Sequence, residues 1–224
     1  MDVIHPVRVK VACIRNPEEA RRAVSFGAAA IGVAAEIPGG GPDLAEPEIA
    51  EIAAAVPATI GTFALTTRRT PSELAELARN AGVNTIQLWD EPDPDAYAHL
   101  RSAVPGISIV QSISVVPDGG AIEQAIDVSP RVDALVLDSA HRAPPIRWEQ
   151  QHGRTHDWQI SRRIVEAVDI PVILSGGLTH RNVADAIRAV RPYGVEVCSG
   201  VRINGKLDTR LLVQFLEVME RISP

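Results

Sequence analysis

Eight times along this chain a short run rich in Val and Ile gives way to a stretch with helical spacing. That alternation limits the folds open to the chain more than any single residue does. The strand-like runs cover residues 8–14, 29–34, 59–65, 84–88, 107–113, 134–137, 172–174 and 194–198. Most are continuous rather than alternating in polarity, as strands covered on both faces are. Between them, apolar residues fall at i, i+3, i+4, i+7: Leu74, Leu77, Ala78 and Ala81; Val183, Ala186, Ile187 and Val190; Leu212, Phe215, Leu216 and Met219. This is the stripe of a helix lying on a sheet. Asn16-Pro17-Glu18-Glu19 and Thr70-Pro71-Ser72-Glu73 mark helix starts, and Gly27 and Gly82 mark ends. With no linker-like break in composition, the pattern predicts one α/β domain over residues 1–224, a single (β/α)8 TIM barrel. An open doubly wound sheet has no support, because no GxGxxG follows the first strand.

The net charge of −6 leaves no broad basic surface, so nucleic acid is excluded as a partner. No apolar run approaches the roughly 18 residues of a membrane span, and no membrane partner is expected. The first ten residues lack an apolar signal core, which points to the cytoplasm. Cys13 and Cys198 are the only cysteines; their spacing fits neither a metal site nor a disulfide framework. The first and last strands of a closed barrel are neighbours, so the two are read as packed thiols, with a redox pair as the alternative. No cofactor and no metal are expected, and the chain is read as a monomer or homodimer acting on a small molecule.

Two strand-like runs end in small-residue turns, Ser175-Gly176-Gly177 and Ser199-Gly200-Val201. The loops after strands 7 and 8 of a TIM barrel often hold phosphate, and glycine lets backbone N–H groups approach an anion closely. Ser175, Gly176, Gly177, Ser199, Gly200 and Val201 are therefore candidate phosphate-binding residues, and the substrate class is a small phosphorylated molecule. Asp138 ends the sixth strand at the barrel mouth, where partial burial raises a carboxyl pKa and suits it to general acid catalysis. Its alternative role is to cap a turn. The long segment 139–156 carries His141, Arg142, Arg147, His152, Arg154 and His156. It is either an anion-binding segment or a solvated loop. His141 is a candidate base, and Arg142 and His152 are candidate substrate contacts. Trp89, after the fourth strand, either stacks on an aromatic group of the substrate or covers the barrel rim.

Several segments together resemble phosphoribosylanthranilate isomerase, the metal-free barrel enzyme family of tryptophan biosynthesis. They are Lys10-Val11-Ala12-Cys13-Ile14, Gln87-Leu88, Leu137-Asp138-Ser139, Gly153 with Asp157-Trp158, Ser175-Gly176-Gly177-Leu178 with Asn182-Val183, and Arg191-Pro192-Tyr193-Gly194-Val195 with Ser199-Gly200-Val201. The resemblance runs almost the whole length and is strongest over residues 171–201. It implies an Amadori rearrangement without a cofactor: an acid opens the ribose ring and a base removes the C2′ proton. It implies Asp138 as the acid and adds Gly153 to the phosphate-binding residues.

The chain departs from the family at four places. The family's base is the Cys of a Lys-Ile-Cys-Gly motif. Aligned on Lys10, that Cys falls on Ala12 and the Gly on Cys13. One residue of offset reverses the face of a strand, so Cys13 serves as base only if a bulge turns it back. The family's Arg after the second strand has no counterpart, since residues 24–67 contain no Lys or Arg. The family's His-Gly after Gln-Leu is replaced by Trp89-Asp90, and its Gly-Gly-Thr-Gly by Gln150-Gln151-His152-Gly153. These departures keep two alternatives open: a diverged barrel enzyme on another phosphosugar or aryl substrate, and a catalytically inactive homologue that binds a phosphometabolite.

Overall fold

The computed structural model describes residues 6–35, 37, 44–116, 120–139 and 155–222. Among the described residues, the eight barrel strands are β1 (Arg8–Val11), β2 (Ala30–Ala35), β3 (Gly61–Thr66), β4 (Thr85–Leu88), β5 (Ser108–Ser114), β6 (Ala134–Asp138), β7 (Val172–Leu174) and β8 (Gly194–Val197). Each runs parallel to the next, and β8 returns to pair with β1, closing the barrel. The helices are α1 (Pro17–Ser25), α2 (Glu46–Ala54), α3 (Pro71–Asn80), α4 (Ala96–Ala103), α5 (Gly120–Val128), α6 (Trp158–Ala167), α7 (Val183–Val190) and α8 (Thr209–Ile222). A small antiparallel pair, β9 (Arg202–Ile203) and β10 (Lys206–Leu207), precedes α8.

The helices lie where the periodicity puts them. Leu74, Leu77, Ala78, Ala81, Val183, Ala186, Val190, Leu212, Phe215, Leu216 and Met219 are all buried against the outer faces of the strands. Inside the barrel, Val110, Val136 and Ile173 form a separate apolar layer with Phe63. Asn16 caps α1 as expected, its Oδ1 accepting from the Glu19 N–H at 2.9 Å. Among the described residues, no helix is long and apolar enough to cross a membrane.

Two expectations about β1 are corrected. The strand stops at Val11 instead of running to residue 14, because Cys13 takes φ 60, outside the extended region. The packed thiols are instead a disulfide, Cys13–Cys198, with Cα atoms 5.8 Å apart. Closure of the sheet sets the ends of β1 and β8 side by side, and so brings together two residues 185 apart in sequence.

Candidate active site

Strand residues alternate between the helix layer and the barrel interior. Several inward positions are polar. Lys10 and Glu196 are register partners on β1 and β8 and form a 2.5 Å ion pair, both less than a tenth exposed. The Lys10 ammonium also donates to Gln87 Oε1 and sits 4.2 Å from the centre of the Phe63 ring. Gln87 in turn donates to Ser112 Oγ at 3.0 Å. Gly32 makes the space, since a Cβ there would stand 2.9 Å from Lys10 Cε. Burial pushes the Lys10 pKa below the usual lysine value, against the opposing pull of the Glu196 and Asp138 carboxylates.

Asp138 ends β6 at the mouth and is buried. The Ser175 hydroxyl lies 2.9 Å from Glu196 Oε1 and 3.4 Å from Asp138 Oδ2. A polar chain thus runs Lys10–Glu196–Ser175–Asp138 from the barrel centre to its rim. Ser114 is the register partner of Asp138 on β5, and its buried hydroxyl has no hydrogen-bond partner among the described residues.

The two glycine turns pack against each other at the same rim. Gly176 and Gly177 have φ 90 and φ 62, and a Cβ on Gly176 would stand 2.9 Å from the Ser139 nitrogen. Asn182 holds the first turn: its Nδ2 donates to Gly177 O at 3.0 Å and its Oδ1 accepts from the Thr179 N–H at 2.8 Å. Residues 179–182 therefore lead into α7, which begins at Val183. Among the described residues, the N–H groups of Gly176, Gly177, Ser199 and Gly200 donate to no protein acceptor. Four open donors on adjacent turns suit an oxyanion.

Two candidate phosphate residues offer no open backbone N–H. The Ser175 N–H is spent on Leu137 O at 2.8 Å, and its hydroxyl faces the carboxylates in the interior. The Val201 N–H donates to Cys198 O at 3.3 Å, and its side chain is fully buried.

Cys13 cannot act as a base in this form, because a disulfide sulfur has no thiolate to accept a proton. Its φ of 60 fits the alignment that sets it on a glycine of the family motif. The loop after β1 is held by Arg202, whose Nη2 lies 2.5 Å from Cys13 O and 3.0 Å from Glu19 Oε2. Burial pushes the Glu19 carboxyl up, but hydrogen bonds and charge from Arg202, with further N–H bonds from Leu207 and Arg15, hold it below the usual glutamate value. Trp89 packs on the rim cluster of Ala34, Ile37 and Leu65, which favours the covering role.

His156, at the end of the segment 139–156, is held toward its neutral form. Burial pushes its pKa down to about 4, and its Nε2 lies 2.6 Å from Ser161 Oγ. His141, Arg142, His152 and Gly153 lie outside the described residues. Sequence reasoning missed the Lys10–Glu196 pair, Ser114 and Arg202. For Lys10 and Glu196 the available signal was a charge between valines, as in Val9-Lys10-Val11 and Val195-Glu196-Val197.

The chain matches the family described as N-(5'phosphoribosyl)anthranilate (PRA) isomerase over residues 42–218. The N-(5'-phosphoribosyl)anthranilate isomerase of Methanocella arvoryzae is 35% identical over 211 residues, which cover 94% of this chain and 96% of that protein. The enzyme of the same name from Halobacterium salinarum is 37% identical over 200 residues, covering 87% and 86%. Among solved structures, phosphoribosyl anthranilate isomerase from Thermococcus kodakaraensis superposes with a TM-score of 0.78 at 28% identity, covering 95% of this chain and 98% of that one.

Proposed function

Because this chain belongs to the phosphoribosylanthranilate isomerase family, we propose that it catalyses the Amadori rearrangement of N-(5′-phosphoribosyl)anthranilate in tryptophan biosynthesis. The observation that carries this reading is the juxtaposition at one rim of a buried carboxyl, Asp138, with four open backbone donors on the two glycine turns. The substrate phosphate sits at Gly176, Gly177, Ser199 and Gly200. Asp138 gives its proton to the ribose ring oxygen as the C1′–O4′ bond breaks, leaving a protonated Schiff base. A base then takes the C2′ proton, and the electron pair moves to give an enamine that tautomerises to the aminodeoxyribulose product.

Two groups are candidates for that base. Cys13 serves only as a free thiolate, after a dithiol reductant has opened the Cys13–Cys198 bridge and itself become a disulfide. A reducing cytoplasm, where we expect a monomer or homodimer to act, keeps such thiols free. His141 needs no reduction.

The test is turnover of phosphoribosylanthranilate by the purified protein, with and without dithiothreitol, and rescue of a tryptophan auxotroph. Turnover that needs the reductant assigns Cys13; turnover indifferent to it assigns His141. No turnover under either condition, with no rescue, overturns the function. Asp138→Asn should lower kcat by at least about 100-fold. A second reading, a barrel diverged to another phosphorylated substrate, draws on the absence of any Lys or Arg in residues 24–67. Stabilisation by ribulose 5-phosphate without turnover of phosphoribosylanthranilate would select it.

A further inference from the structure

The Ser175 hydroxyl has one proton and two carboxyl neighbours. The shorter contact, 2.9 Å, goes to Glu196 Oε1. The other oxygen of Glu196 accepts from the Lys10 ammonium at 2.5 Å. An ammonium has donors and no acceptor, so Glu196 is the accepting partner on that side. Charge-assisted bonds are the stronger ones, and the serine proton therefore goes to Glu196. What remains on Ser175 toward Asp138, at 3.4 Å, is a lone pair. A lone pair is satisfied by a carboxyl that carries its proton and repels one that does not.

We infer that Ser175 is a positioning residue for the acid, passing the fixed polarity of the Lys10–Glu196 pair to Asp138 and holding that carboxyl in its protonated, donating form. The assignment of Asp138 as the acid rests on the isomerase reading; the polarity of the chain does not. The described neighbours of Asp138 include Lys10 from β1, Glu196 from β8, Ser175 after β7 and Ser114 from β5. Lys10 carries the charge opposite to that of an ionised Asp138, and the Ser175 lone pair opposes that attraction. The serine contributes direction rather than charge, which a sequence pattern of glycine turns does not reveal.

The experiment follows the Asp138 carboxyl itself by carbon-13 NMR across pH, its resonance identified by its loss in Asp138→Asn. In Ser175→Ala the Asp138 midpoint moves to lower pH, by about tenfold in the ionisation constant if one ordinary hydrogen bond is lost. Ser175→Thr keeps the hydroxyl and restores the midpoint. The double variant Lys10→Met/Glu196→Gln removes both charges of the pair, can present an N–H to Ser175 and lowers the midpoint without a change of net charge, a second route if Ser175→Ala folds poorly. In turnover, kcat of Ser175→Ala falls most on the alkaline side while KM holds. A midpoint in Ser175→Ala equal to or above that of the wild type overturns the inference, whatever the catalytic result. A shifted midpoint in a protein that never turns over phosphoribosylanthranilate supports the chain and overturns the proposed function instead.

Discussion

Gly200 lies so close to Leu178 that a Cβ on it would stand 2.0 Å from the Leu178 carbonyl oxygen. This contact yokes the turn after β8 to the turn after β7. In the proposed phosphate site the four open N–H groups would act together because two backbones touch, and they touch because one residue has no side chain.

Gly200→Ala should therefore separate the two turns. Backbone cannot rotate away as a long side chain can, so a stability loss of about 3 kcal/mol is expected in denaturant unfolding. Stabilisation of the fold by a phosphorylated ligand should weaken at least tenfold in apparent affinity, read from the ligand dependence of Tm. A variant with wild-type stability and ligand response would show that the turns are independent.

Lys10→Met leaves Glu196 buried without its cation. Breaking one side of a buried pair costs about 3–5 kcal/mol, whereas replacing both by apolar residues costs less. Urea unfolding of Lys10→Met, Glu196→Leu and the double variant measures this directly. The double variant should be more stable than the sum of the single losses implies. Strict additivity would mean that the pair contributes nothing as a pair.

Arg202→Met tests the hold on the loop after β1. Glu19 would keep its N–H bonds from Leu207 and Arg15 but lose the guanidinium. The expected cost is about 3–5 kcal/mol near neutral pH. Because the folded Glu19 carboxyl is held below its unfolded value, its contribution is present above that unfolded value and lost as pH falls through the folded one. The gap between wild type and variant should shrink on acidification; a gap constant with pH would assign the loss to packing alone.

His156 gives the opposite residue type the same pH direction. Its folded pKa of about 4 lies below the unfolded value of 6.5, so the unfolded chain binds the extra proton between them. Stability should fall as pH drops through that window, by at most about 3 kcal/mol. His156→Gln should be less stable at neutral pH yet lose that part of the acid slope. An unchanged slope in His156→Gln would place the titration elsewhere.

The strands were legible because parallel strands covered on both faces leave unbroken apolar runs, and the helices because Leu74 to Ala81 and Leu212 to Met219 keep one spacing. Asp138 and the glycine turns were legible because strand ends of a barrel all open on one face. What could not be read were facts created by closure. Lys10 and Glu196 stand 186 residues apart and become neighbours when β8 meets β1. Closure did announce that Cys13 and Cys198 are neighbours; what it left open was whether they are two thiols or a disulfide. The place of Ser175 beside Glu196 and Asp138 was not legible, because a turn's sequence does not show which way a side chain just past a strand points. The early end of β1 was signalled only by the alignment that sets Cys13 on a family glycine, because a Cys by itself does not announce a positive φ.

The bridge between Cys13 and Cys198 makes the intervening chain a covalent ring that contains seven of the eight barrel strands. A single backbone cut anywhere on that ring opens it without producing two molecules. The nicked protein would run as one species on a gel until the disulfide is reduced, and only then separate into fragments.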